Sequence, residues 1–113
     1  MLIDTGADRT CLPGDLATRL GHNNDHKDVQ RDTIHGIGGS SIVYLHSVQL
    51  CLLDPRKSTA KGSVVAWECP LKTTAFVKDL ESDFGLIGTD IICQWKSLSF
   101  EHRRAGLTIR IMI

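Results

Sequence analysis

Residues 42–53 form a long run rich in Val, Ile, Leu and Tyr, entered through a tip of almost nothing but glycine and serine, Gly36-Ile37-Gly38-Gly39-Ser40-Ser41. Extended chain on both sides of such a tip makes a β-hairpin, with Thr33-Ile34-His35 as the incoming arm. A chain committed to so long a hairpin must find further strands to cover it. The C-terminus offers one. Leu107, Ile109, Ile111 and Ile113 alternate with Thr108, Arg110 and Met112, a strict period of two that marks a strand with one buried face. Leu98 and Phe100 alternate with Ser97, Ser99 and Glu101 just before it, across the polar corner at 102–106. Shorter strands are expected at 1–3, at 64–67 (stopped by Pro70), at 74–77 and at 83–88.

Helix signals are few. Residues 12–21 read as a short helix, with Pro13 near its first turn, Leu16 and Leu20 on one face, and Gly21 as C-terminal cap. Thr89 and Asp90 are N-cap candidates for a second helix over 91–95. Residues 22–32 read as a polar loop and 54–58 as a turn. The expectation is a mostly-β fold with one or two short helices, and at 113 residues a single domain spanning 1–113.

Composition narrows the function. Thirteen basic and thirteen acidic side chains balance, with a pI near 6.9, which argues against a nucleic-acid partner. No apolar run approaches the ~20 residues of a membrane helix. Met1-Leu2-Ile3 runs straight into Asp4, unlike a signal peptide. Cys11, Cys51, Cys69 and Cys93 form no CxxC pair, so they read as free thiols of a reducing compartment, and the expected location is cytoplasmic. His22 and His26 have the spacing of zinc ligands on a helix, but Asn23-Asn24-Asp25 between them is poor helix, so no metal is expected. No cofactor is expected either. A phosphate cradle at the glycine tip is disfavoured, because a β-run without Lys follows where a P-loop needs Lys-Ser/Thr and a helix.

The chemistry concentrates at Leu2-Ile3-Asp4-Thr5-Gly6-Ala7-Asp8-Arg9-Thr10. Alone, Asp-Thr-Gly after an apolar strand is a turn with an acidic cap. Here the glycine tip at 36–39 follows, and then Leu86-Ile87-Gly88-Thr89-Asp90. With those motifs in that order, the chain resembles the retropepsin-like aspartic proteases, the retroviral enzymes and their cellular and bacterial relatives, from Leu2 to about Ile111. The short 13–21 helix is closer to the cellular and bacterial members.

The resemblance implies a retropepsin-like half-barrel, active as a two-fold homodimer, that hydrolyses peptide bonds. Such enzymes need paired carboxylates about 3 Å apart sharing one proton. One Asp-Thr-Gly per chain supplies half a site, so Asp4 is expected to meet its own copy across the two-fold axis. Thr5 would hold the loops together across that axis. Gly6 would let the substrate backbone approach, with Ala7 and Asp8 binding the substrate main chain. Ile37, Gly38 and Gly39 would form a flap tip over a polypeptide bound as an extended strand. Leu98, Phe100, Leu107, Ile109 and Ile111 would bury one face against the core or the partner, or form an ordinary core strand of a monomer.

The chain also departs from the family pattern. Thr89 stands where retroviral members have a bracing Arg, Arg9 stands where they often have an acid, and only residues 1–3 precede the loop, where a full strand is usual. That last departure favours the alternative of a catalytically silent peptide-binding or dimerisation module within a larger protein.

Overall fold

A computed structural model describes residues 1–36, 38–57, 59–80 and 84–113. Strand accounts for 54% of the chain and helix for two short segments, which makes the fold mostly β. The elements are β1 (Leu2–Ile3), β2 (Cys11–Pro13), α1 (Gly14–Arg19), β3 (Gln30–Gly36), β4 (Gly39–Leu53), β5 (Val65–Val77), β6 (Leu86–Ile87), α2 (Thr89–Ile92), β7 (Ser97–Arg103) and β8 (Gly106–Met112).

The first six pairing partners build one sheet in the order β1-β6-β2-β5-β4-β3, and β7 pairs with β8 in a separate hairpin. Gly36 pairs with Gly39, whose φ of +116° suits a residue without Cβ. From there β4 runs antiparallel to β5 along most of its length, with a register shift between His46 and Val48.

Both faces of β4 are covered over residues 43–46, whereas exposed and half-buried residues alternate from Ser47 to Leu53. Cys11, Val43, Ala75 and Val77 pack on one face with Ile34, Leu45 and Leu80. Leu12 and Phe76, one position along, face the other way and pack with Ala17 of α1, Leu16, Tyr44 and Val48. A third cluster gathers Cys69, Ile87, Ile91 and Trp95 with Leu50, Trp67, Leu98 and Ile111. Only the near end of the β7–β8 hairpin joins that cluster.

Several expected boundaries move, each for a tertiary reason. Leu12 and Pro13 belong to β2 rather than to a helix, because Cys11–Pro13 pairs parallel with Ala75–Val77. Helix α1 therefore starts at Gly14, where a Cβ would lie 2.9 Å from the Val77 carbonyl oxygen. Its end agrees with the expected cap, Gly21 having φ +86°. Pro70 does not stop a strand, and β5 runs through it opposite Gln49. At that point β5 pairs only with β4, since β2 reaches only Ala75–Val77, so the missing N–H can face away from the ladder. Strand β3 starts at Gln30, within the expected loop. The 83–88 strand shrinks to Leu86–Ile87, with Asp83 outside the described residues, as Ser58 is for the 54–58 turn. Helix α2 is capped by Gly88 rather than by Thr89 or Asp90, and it ends at Ile92.

Candidate active site

The Asp-Thr-Gly segment lies on the loop between β1 and β2, and β6 is threaded between those two strands. Strand β6 pairs parallel with β1 (Leu2 with Leu86, Ile3 with Ile87) and antiparallel with β2 (Cys11 with Leu86). The N–H groups of Leu2 and Asp4 donate to the carbonyls of Gly85 at 2.8 Å and Ile87 at 3.0 Å, which fixes the point where the loop leaves the sheet.

Asp4 is half-buried. Its Oδ1 accepts the N–H of Gly6 at 2.9 Å and its carbonyl accepts that of Ala7 at 3.2 Å, a tight Asx-type turn. A Cβ on Gly6 would stand 3.3 Å from the same Oδ1, so glycine leaves this carboxylate room. Thr5, Gly6 and Asp8 are exposed. Among the described residues neither the Thr5 hydroxyl nor the Asp8 carboxylate makes a hydrogen bond, so Asp8 caps no turn there.

The far side of the loop is held by residues some eighty positions away. The Asp90 carboxylate accepts the Thr10 N–H (2.9 and 3.0 Å) and the Thr10 hydroxyl (2.8 Å), and the Thr10 Oγ1 in turn accepts the Gly88 N–H at 3.1 Å. Thr89 donates its N–H to the Ala7 carbonyl at 2.8 Å and its hydroxyl to that of Asp8 at 3.4 Å. Thr89 thus braces the loop itself, where the retroviral pattern has Arg. A Cβ on Gly88 would lie 2.5 Å from the Arg9 carbonyl carbon, so the backbones of the two segments nearly touch. Arg9 reaches Asp32 of β3 at 3.7 Å, a solvent-exposed pair. Sequence reasoning named Thr89 and Asp90 as cap candidates and as part of the 86–90 motif, and noted Thr89 in place of a bracing Arg, but gave neither these bonds nor a role for Thr10. The one local hint was a glycine directly before them.

A cavity of about 290 Å³ lies under the β3–β4 hairpin. It is lined by Gly38 and Gly39 of that hairpin together with Ile34, Val77, Leu80, Leu86 and Cys11. Burial pushes the Cys11 thiol pKa up, Asp90 adding to the rise and Arg9 opposing it. Of the residues expected to bind substrate, the structure brings Gly38 and Gly39 to this cavity. Asp4, Thr5, Gly6, Ala7 and Asp8 are not among its lining, and Ile37 lies outside the described residues. Among the described residues no three His, Cys, Asp or Glu side chains cluster as a metal site. No described helix is long and apolar enough to cross a membrane.

No curated protein matches the chain. A family profile described as aspartyl protease does, over residues 1–91, a span that includes the Asp4 loop, the glycine-tipped hairpin and the β6–α2 brace. The chain belongs to that aspartyl protease family, of the retropepsin-like clan.

Proposed function

We propose that this chain is a single-domain aspartic endopeptidase that works as a two-fold homodimer, with Asp4 of each subunit forming the catalytic pair. One observation carries the reading. Asp4 leaves the sheet at the end of β1 with a carboxylate oriented by the Gly6 N–H at 2.9 Å, beside Thr5 and Asp8 side chains that are exposed. Asp4 and the partner subunit's Asp4 would hold one proton between them. The ionised carboxylate takes a proton from water as the water oxygen attacks the scissile carbonyl carbon, and the protonated one gives its proton to the carbonyl oxygen. Collapse of that tetrahedral diol breaks the C–N bond, and the amine leaves with a proton from the carboxyl pair. Thr5 and Gly6 hold the pair, while Ala7, Asp8 and the tip at Ile37, Gly38 and Gly39 bind an extended peptide.

The second subunit has a surface to occupy. Phe100, Leu107 and Ile109 on the β7–β8 hairpin are 53%, 61% and 46% exposed, a degree of apolar exposure that a core strand of a monomer would not show. The test is cleavage of a diverse peptide library between about pH 3 and pH 7, read by mass spectrometry, for the native chain and Asp4→Asn. Cleavage with a bell-shaped acidic profile that vanishes in Asp4→Asn is the expected result. Cleavage that survives in Asp4→Asn, or a rate still rising beyond neutral pH, excludes the dyad. Silence from a demonstrated dimer favours a binding module.

A further inference from the structure

On the face of the sheet opposite the flap cavity, two histidines lie ring on ring. His46 of β4 is 9% exposed, and His22, three residues past α1, stacks on it at 4.6 Å with 28° between the planes. Phe76 closes the side, edge-on to His46 at 5.3 Å. The His46 Nε2 is 2.7 Å from the Asn24 Oδ1, and the Asn24 amide donates to the Gly14 carbonyl at 3.4 Å. Across the ladder from His46 stands Thr74, 3% exposed, whose buried hydroxyl has no partner. The residues that bring His22 there are the Gly21 turn and the His22 N–H, which donates to the Ala17 carbonyl at 2.9 Å.

We infer that the His22–His46 stack is a proton-operated clasp, which holds the 22–29 loop on the sheet while both rings are neutral and releases it on acidification. The 22–29 loop leads directly into β3, the outer arm of the flap hairpin and an edge of the six-stranded sheet. Protonating either ring puts a cation against the other, and a proton on His46 is also buried.

Among the described residues no carboxylate offsets that charge. The loop contributes Asp25, His26, Lys27 and Asp28, α1 contributes Asp15 and Arg19, β3 contributes Arg31 and Asp32, and β5 contributes Lys72. The ion pairs these groups make are His26 with Asp28 and Asp32 with Arg9, and no described carboxylate comes within pairing distance of His22 or His46. Burial first, and the neighbouring His22 second, hold the His46 pKa below 6.5. The docked state therefore binds fewer protons than the released one. Its stability is whole above pH 6.5 and falls as the pH drops below that value.

The test is hydrogen exchange of the full chain at about pH 7.5 and about pH 5, corrected for intrinsic exchange rates, following the loop amides. Those of His26 and Val29 have acceptors inside the loop, the Asn23 and His26 carbonyls. Protection over 22–29 is expected to fall roughly ten-fold at the lower pH while the β4–β5 core keeps its protection. In His22→Phe, which keeps an aromatic ring on His46 without a second titrating group, that fall is expected to be smaller but not absent, because the burial of His46 remains. Equal protection at both pH values overturns the clasp, and so does a fall in His22→Phe as large as in the native chain. An NMR titration of the native chain decides independently of any variant, since a His46 ring titrating at or above 6.5 also overturns it. Neither readout depends on proteolysis, so the clasp and the protease reading fail separately.

Discussion

Thr10 is 3% exposed and joins two parts of the chain that are distant in sequence, through one hydroxyl that donates to Asp90 and accepts from Gly88. Thr10→Val keeps the shape and removes both bonds, which leaves the buried Gly88 N–H without its acceptor. The expected cost is about 1–3 kcal/mol, read as a lower urea midpoint at an unchanged m value. An unchanged midpoint would show that the Thr10 hydroxyl does not secure the loop. At this scale the sequence made the Asp-Thr-Gly segment legible because its chemistry is local: an acid, a small polar residue and a glycine in one turn. It did not make the bond between Thr10 and Asp90 legible, because a hydrogen bond across eighty positions leaves no pattern in either neighbourhood.

Two glycines separate the demands of packing from those of substrate approach. Gly88 caps α2 with its backbone against that of Arg9, and a Cβ there would overlap carbonyl atoms that belong to the loop. Gly88→Ala is expected to lose about 1–3 kcal/mol of stability and most of the cleavage activity. Gly38 meets nothing within 4 Å, so Gly38→Ala is expected to leave stability within about 0.5 kcal/mol. If a substrate backbone closes on the tip, the same change raises KM. Thermal melts and steady-state kinetics on the two variants together distinguish these outcomes. The long hairpin and the C-terminal alternation were readable because period and turn chemistry act within a few residues. Strand β2 was not, since three residues become a strand only by pairing with Ala75–Val77. Pro70 misled for the same reason: whether a proline ends a strand depends on whether a neighbour needs its N–H.

For the molecule as a whole, the β7–β8 hairpin is anchored at one end by Leu98 and Ile111 in the core and leaves Phe100, Leu107 and Ile109 in solvent. Register sets Phe100 opposite Ile109 and His102 opposite Leu107, so the three apolar side chains share one face. Ile109→Asp puts a charge in the middle of that face without touching the core clusters. Sedimentation is expected to show a monomer, with association weakened at least about ten-fold and cleavage lost in parallel. A dimer of native affinity would move the interface elsewhere. The alternation announced a one-sided strand but not what would cover it, because period two reports that a face is apolar and says nothing of whose surface lies against it. The threading of β6 between β1 and β2 also sets an order of events during synthesis. A ribosome delivers Asp4 first, yet the brace that shapes its loop includes Gly88, Thr89 and Asp90, and Thr10 must wait for an acceptor eighty positions later. At roughly 5–20 residues per second that interval is about 4–16 s. Throughout it a half-made chain carries Asp4 without the scaffold that shapes its loop, so the aspartate proposed as catalytic stays unaimed until the residues of that brace have been made.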